Sequence, residues 1–369
     1  MINPAKAFVV ITAIYILGFF SHAFYLKKTV YGDGIFYYSW LRSIVIDKDV
    51  NFTDEYAHFH VQQPKTLQQL PANKYSVGPA LLWSPLFIWI HSVMKSDGYN
   101  FWYQLAVGTT SILFTITGLI LLFRLLNRYF SQTTSILAII AIAFATNLFF
   151  YGSLDTVNSH SLSFFAACVY LSFLLAKEKN FFLIGISLGL LGIIRTQDII
   201  YGILLLPFLR WRNIFPLFTG FLILFSLQLI AWQILYGNFL TSPYLTGGEG
   251  FTWWQAHAFE VLFSPKSGLF FWTPILLLGC AGLFKKNKMF LLVILLQVWI
   301  VASWSTWWQG ASYGGRMFVS VLPLFAFGLA NIFQLLQHYG WKLNYFLLII
   351  ISPLSMLNVL FIFFFLLRT

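Results

Sequence analysis

Long apolar runs, nearly free of charge, leave this chain few folds to choose from. About 17–25 predominantly apolar residues suffice to cross a bilayer. Runs of that kind fall at 7–26, 101–123, 133–150, 158–176, 213–236, 268–284, 289–304, 316–337 and 343–367, with shorter ones at 181–194 and 199–209. In lipid every backbone polar group must be satisfied within the protein, so only helices or a closed barrel can cross. These runs are continuous rather than alternating residue by residue, which argues for helices. With 59% hydrophobic and 9% charged residues, the chain is no soluble domain of ordinary composition. The expected fold is an all-α polytopic membrane protein with about eleven transmembrane helices, within about 10 to 13. The short runs 181–194 and 199–209 are expected to form a broken or tilted pair.

Charge orients the spans. The net charge of +11 is no nucleic-acid signal, because the basic residues do not gather in one patch. With the N-terminus inside, Lys6, Arg124, Arg128, Lys177, Lys179, Arg210, Arg212, Lys285, Lys286, Lys288 and Lys342 all face inward, against the single acid Glu178. This is a strong positive-inside bias. Counting 75–95 as a span would scramble it, and Pro79 and Pro85 each remove a helix hydrogen bond there. That segment is expected to be a surface or membrane-dipping helix within a long first outer loop, 27–100. The first run resembles a leader ending at Ser21-His22-Ala23, but it is long and aromatic for one, so a retained helix is expected. Cys168 and Cys280 lie within spans and read as small buried residues.

The polar features of interest then fall on the outer side. Five of the eleven acids, Asp33, Asp47, Asp49, Asp54 and Glu55, crowd into the first loop. Asp33 lies between Gly32 and Gly34, where the backbone can turn tightly and approach a ligand; its carboxylate suits a general base or a turn cap. The acids at 47–55 could hold a divalent ion, but Lys48 interrupts them, and a solvated turn is expected instead. Other outer loops bring Asp155, Arg195, Glu249, His257, Glu260 and Lys266. Arg316 opens a span after Gly314-Gly315, an arrangement suited to a phosphate or to interfacial snorkelling. Lys74 and Arg195 are further candidates for the same anion. Thr-Trp-Trp-Gln occurs at 252–255 and again at 306–309. Trp307 and Trp308 could stack on sugar rings or simply populate the interface. No phosphate-gripping, dinucleotide-binding or metal-ligand spacing is present.

Several of these features together resemble the GT-C class of integral-membrane glycosyltransferases, which use lipid-phosphate-linked sugars and include the protein O-mannosyltransferases. Asp33 opens the long first loop and is followed by Tyr37-Tyr38-Ser39-Trp40-Leu41-Arg42-Ser43. Lys74 and Pro79 precede an apolar helix, a second acid lies in Tyr151–Asp155, and Gly-Gly-Arg stands at 314–316. The resemblance implies a seven-helix catalytic module over 1–236, with 237–369 adding an outer loop and further spans. It implies inverting transfer from a polyprenyl-phosphate sugar donor to a hydroxyl of a glycan, lipid or protein acceptor. Asp33 would be the base, with Asp155 as a second catalytic candidate. Arg316 and Lys74 would stabilise the leaving phosphate, and Arg195, His257, Trp307 and Trp308 would bind substrate. No metal or other cofactor and no nucleic-acid partner are expected. The site would face outward from a bacterial inner or plasma membrane. Two other readings compete: a transporter or flippase, which should place ionisable residues at mid-membrane within an inverted repeat, and a non-catalytic assembly subunit.

Overall fold

The computed structural model describes residues 3–368. Among these, 72% of the structure is helical and no strand forms. Helix α1 (Pro4–Leu26) starts where the Asn3 side chain accepts from the amides of Ala5 and Lys6, and it stops at Lys27, whose φ of 56° leaves the helix. The first loop holds α2 (Gly34–Arg42), the short α3 (Thr53–His58) and α4 (Gly78–Met94). Next come α5 (Phe101–Leu126), α6 (Gln132–Phe144), α7 (His160–Leu174) and α8 (Phe181–Ile194). Asn100, Ser131 and Asn180 cap α5, α6 and α8 with side-chain oxygens on first-turn amides, satisfying donors that lipid could not. A 3₁₀ stretch, Thr196–Phe208, leads to α9 (Trp211–Tyr236). Three short helices follow, α10 (Pro243–Thr246), α11 (Ala258–Phe263) and α12 (Leu269–Trp272). The chain then forms α13 (Ile275–Lys286) and α14 (Lys288–Ser303). A 3₁₀ turn, Arg316–Val321, runs into α15 (Leu322–His338). The last pass joins α16 (Leu343–Tyr345) through a π-helical turn to α17 (Ser352–Arg368).

Five helices are long and apolar enough to cross a membrane unaided: Pro4–Leu26, Phe101–Leu126, Trp211–Tyr236, Arg316–His338 and Leu343–Arg368. The shorter passages are α6, α7, α8, the 3₁₀ stretch, α14 and the joined pair α12–α13. With the five long ones they give the expected polytopic bundle. Its basic turns meet at one end. Tyr129 donates to the Leu175 carbonyl, Lys179 lies over Phe208, Thr134 bonds Gln337, and Phe8 packs on Phe123. The acidic and aromatic loops gather at the other end.

Helix α4 belongs to that second end. It packs antiparallel along the first half of α5, with His91 against Tyr103 and Trp83 against Ser111. Its first turn abuts the Ile193 carbonyl near the end of α8.

The pair 181–194 and 199–209 is resolved differently from two α-helices. Segment 196–208 returns as a 3₁₀ helix, so α8 and α9 run parallel. Their closeness has a compositional cause: a Cβ on Gly185 would lie 2.1 Å from the Leu217 carbonyl oxygen, one on Gly189 2.6 Å from that of Phe221, and one on Gly220 2.2 Å from that of Phe182. Small residues that let backbones touch are the usual basis of helix association where no hydrophobic drive exists.

Candidate active site

Asp33 stands at the start of α2, yet its side chain makes no capping bond. Gly32 turns the chain with a φ of +54°, and Gly34 comes so near that a Cβ there would lie 2.4 Å from the Val157 carbonyl oxygen. The carboxylate is thereby turned away from its own helix. Oδ1 accepts from the Tyr75 hydroxyl at 2.8 Å, and Oδ2 pairs with Arg316 Nη1 at 2.5 Å. Their side chains stay 28% and 15% exposed, so both remain reachable from the cavity between them.

Arg316 is held in place by the glycines before it. Gly315 has a φ of +55°, and a Cβ on Gly314 would lie 2.4 Å from Trp272 Cβ. Asn147 donates to the carbonyls of both glycines, at 2.6 and 3.0 Å. Exposed glycine amides for a phosphate are not what this turn supplies, because the Gly315 amide already donates to Ser267. The glycines place the guanidinium.

A cavity of about 170 Å³ is lined by Asp33, Lys74, His160, Arg195, Glu249 and Arg316, with Tyr37, Tyr75, Tyr244 and Trp304 among its other walls. Lys74 pairs with Glu249, whose other oxygen accepts from Trp304 Nε1 at 2.7 Å. That bond ties the first loop to 237–267 and to the end of α14. Arg195 is different. It is 8% exposed and no carboxylate lies within ion-pairing distance of it among the described residues. Its Nη1 donates to Ser159 at 3.2 Å and to His160 Nδ1 at 2.7 Å, its Nη2 to Gln197 at 3.3 Å and against the Met317 sulfur, and its Nε bonds nothing. Arginine only donates, so His160 Nδ1 accepts, its proton sits on Nε2, and the ring is neutral. The buried carboxylate of Asp198 acts on Arg195 electrostatically, but it accepts from the Ser320 hydroxyl and makes no ion pair with the guanidinium; a buried cation with no carboxylate in contact leaves room for a ligand's anion.

The cavity adjoins two others. An apolar groove of about 470 Å³ shares Tyr37, Arg195, Tyr244, Trp304 and Met317 with it and runs between the 3₁₀ stretch and α14, along Ile194, Ile199, Ile200, Ile300 and Val301. On the other side, a polar cavity of about 650 Å³ shares Lys74, Tyr75 and Glu249.

Asp33, Lys74, Arg195 and Arg316 thus come together as the sequence suggested. Asp155 does not line the cavity. It sits behind Asp33 beside Tyr31, and burial, with the Asp33 carboxylate adding to it, pushes its carboxyl up to about 7. His257, Trp307 and Trp308 also stay outside. His257 stacks on Trp307 at 5.1 Å, Trp307 meets Trp308 edge-on, and Lys266 lies over Trp308. They form an aromatic cluster of their own because 250–257 folds back on 302–305, through Thr252 to Ser303 and Ser305 to Gly250. That pairing turns Trp304 into the cavity instead. The acids at 47–55 do not gather on the cavity; Asp49 and Asp54 are exposed, Asp49 accepting from the Asn51 amide as in a solvated turn, whereas Glu55 is buried. Asp47 and Glu55 clamp Arg42 at 2.5 and 2.7 Å, while Arg42 Nε donates to the Asp97 carbonyl. Among the described residues no cluster of His, Cys, Asp and Glu has the makings of a metal site.

The sequence reading did not pick out Tyr37, Tyr75, His160, Tyr244, Glu249 or Trp304 as site residues. His160 and Glu249 were visible as polar residues of outer loops; the tyrosines and Trp304 carried no local signal. No curated protein matches the chain. Residues 84–234, which carry Asp155, His160 and Arg195 but neither Asp33 nor Arg316, match the model of the dolichyl-phosphate-mannose-protein mannosyltransferase family, a family of GT-C-type glycosyltransferases.

Proposed function

We propose that the protein is an inverting membrane glycosyltransferase that moves a sugar, in the manner of a mannosyltransferase, from a polyprenyl-phosphate donor to an acceptor hydroxyl. The observation that carries this reading is the buried guanidinium of Arg195, in contact with no carboxylate among the described residues and placed where a polar cavity containing Asp33 meets an apolar groove. The prenyl chain would lie in that groove and its phosphate against Arg195. The family match supports the same class of donor. In this reading the leading phosphate role falls to Arg195 rather than to Arg316 and Lys74, each of which is already paired with an acid.

The chemistry then follows from charge. A phosphate held by Arg195 is also a partner for Arg316, which exchanges Asp33 for it and frees Oδ2. The acceptor O–H gives its proton to Asp33 while its oxygen bonds the anomeric carbon. The bond from that carbon to the phosphate oxygen breaks, and its electron pair leaves with the lipid phosphate. Positive charge develops on the ring in passing. Preorganised cations stabilise the departing anion, so no strong acid is required. Attack from the face opposite the phosphate inverts the anomeric centre.

The division at 236/237 belongs to this proposal in a modified form. The catalytic core would lie in 1–236, while Glu249, Trp304 and Arg316 from 237–369 complete the site. The inward-facing basic turns support a site on the outer face of the membrane. The test is full-length protein with polyprenyl-phosphate mannose labelled in the sugar. The reading requires Asp33-dependent loss of label from the lipid, to an acceptor or to water, with inversion at the anomeric carbon. A donor left intact overturns it.

A further inference from the structure

The sequence and the family match leave the acceptor's chemistry open, whereas the polar cavity narrows it. Its two walls are the turn at 63–75 and the segment 236–249. The first is fixed by the bridge between Lys65 and Pro71 and by the amides of Thr66 and Ala72 donating to Leu70 and Pro64. The cavity shares no residue with the apolar groove, and the two reach the Asp33 cavity through different walls. Whatever approaches Asp33 from this side therefore comes from water rather than along the donor's lipid path.

Three further observations point to a ligand. The Thr66 hydroxyl oxygen is buried there with no hydrogen-bond partner. Aromatic rings of Phe36, Tyr75 and Tyr236 line the same space, Phe36 stacked on Tyr75 at 5.0 Å. A volume of about 650 Å³ lies within the roughly 300–1,000 Å³ typical of pockets that enclose a ligand, and exceeds what a single side chain needs. Apolar ring faces combined with hydroxyl and amide donors suit a carbohydrate. A peptide usually docks as an added strand or as a helix in an apolar groove, and neither wall offers a sheet edge or such a groove.

Building on the transferase reading, we infer that the acceptor is a water-soluble glycan, seated in the polar cavity between 63–75 and 236–249. Its attacking hydroxyl passes the Lys74–Glu249 pair and Tyr75 to reach Asp33. The O–H proton goes to Asp33 and the new glycosidic bond forms on the glycan, as in the step above.

The experiment offers full-length protein and labelled polyprenyl-phosphate mannose three kinds of acceptor. These are a panel of soluble hexose and pentose oligosaccharides, a serine- and threonine-containing peptide, and a glycolipid in the same bilayer. Label is expected in a soluble oligosaccharide. Thr66→Trp and Thr246→Trp, one from each wall, are each expected to raise KM for that oligosaccharide tenfold or more, with donor KM moving less than twofold. Label in the peptide or the glycolipid, or an unchanged glycan KM in both variants, overturns the inference. Asp33-dependent free mannose without any glycan product overturns it too and leaves the transferase reading standing. Absence of both products overturns the transferase reading itself.

Discussion

At the scale of single residues, the site separates charges held in contact ion pairs from one, Arg195, that no carboxylate contacts among the described residues. Asp33→Asn keeps size and can still accept from Tyr75, but it cannot take a proton at neutral pH. Transfer should fall roughly 10²–10⁴-fold with donor KM little changed, measured as initial rates over a donor series; near-normal turnover would remove Asp33 as the base. Arg195→Ala should raise donor KM and lower kcat together, costing about 2–4 kcal/mol in transition-state stabilisation. Arg195→Lys should recover only part of this, because an ammonium lacks the planar fork. Equal kinetics for the lysine variant and the wild type would count against a phosphate at this position. Asp155 makes a prediction about pH. Its carboxyl is raised to about 7, so between its unfolded value near 4 and about 7 the folded state holds a proton that the unfolded state has lost. Stability contributed by that proton is complete below pH 4 and is lost as pH rises through 7. Asp155→Asn mimics the protonated form, so its Tm should match the wild type below pH 4 and exceed it by a margin that grows from pH 5 to pH 8. These assignments were only half visible in the sequence. Asp33 could be singled out by its flanking glycines, but the importance of Arg195 rests on the lack of a carboxylate in contact with it, which is a property of space and not of spacing. That His257, Trp307 and Trp308 lie outside the cavity was hidden for the converse reason: interfacial aromatics and sugar-stacking aromatics have the same composition.

At the scale of elements, apolar run length located the passages well, because lipid imposes that length directly. It could not say which run would become 3₁₀, since Thr196–Phe208 has the composition of an ordinary membrane helix. Nor did it show that α8 and α9 run parallel in backbone contact. That contact is testable. Gly185→Leu places a side chain where even a Cβ would lie 2.1 Å from the Leu217 carbonyl, and overpacking of this kind costs about 1–3 kcal/mol or more. Gly202→Ala meets nothing nearer than a Leu188 methyl at 3.5 Å. Thermal unfolding of the solubilised protein should therefore show a lowered Tm for the first and a small change for the second. Similar values for both would mean that α8 and α9 are not packed this closely.

At the scale of the whole molecule, the charge pattern carries the topology. It excludes α4 from the spans, and α4 packs antiparallel along one half of α5. A cysteine replacing Lys95 should then react with an impermeant reagent on the face opposite to one replacing Arg128, measured in intact cells and inverted vesicles. Reaction of both from one face would dismantle the topology. What the sequence did not foreshadow is the shared construction of the cavity. Asp33 and Lys74 come from the first loop, Arg195 from the end of α8, and Glu249, Trp304 and Arg316 from after residue 236. Long-range pairings of this kind, Asp33 with Arg316 above all, leave no local trace in a chain read in order.

The 3₁₀ passage also acts as a ruler. At about 2.0 Å per residue its 13 residues reach about 26 Å, where an α-helix of the same length would reach about 20 Å. Arg195 stands at one end of it, and the paired arginines Arg210 and Arg212, tethered to the basic face, lie just past the other. The stretched backbone therefore sets the depth of Arg195 beneath the surface. Relaxation of this segment toward α-helical winding would shorten the ruler by about 6 Å and carry the guanidinium out of register with Asp33, without changing a residue of the cavity wall.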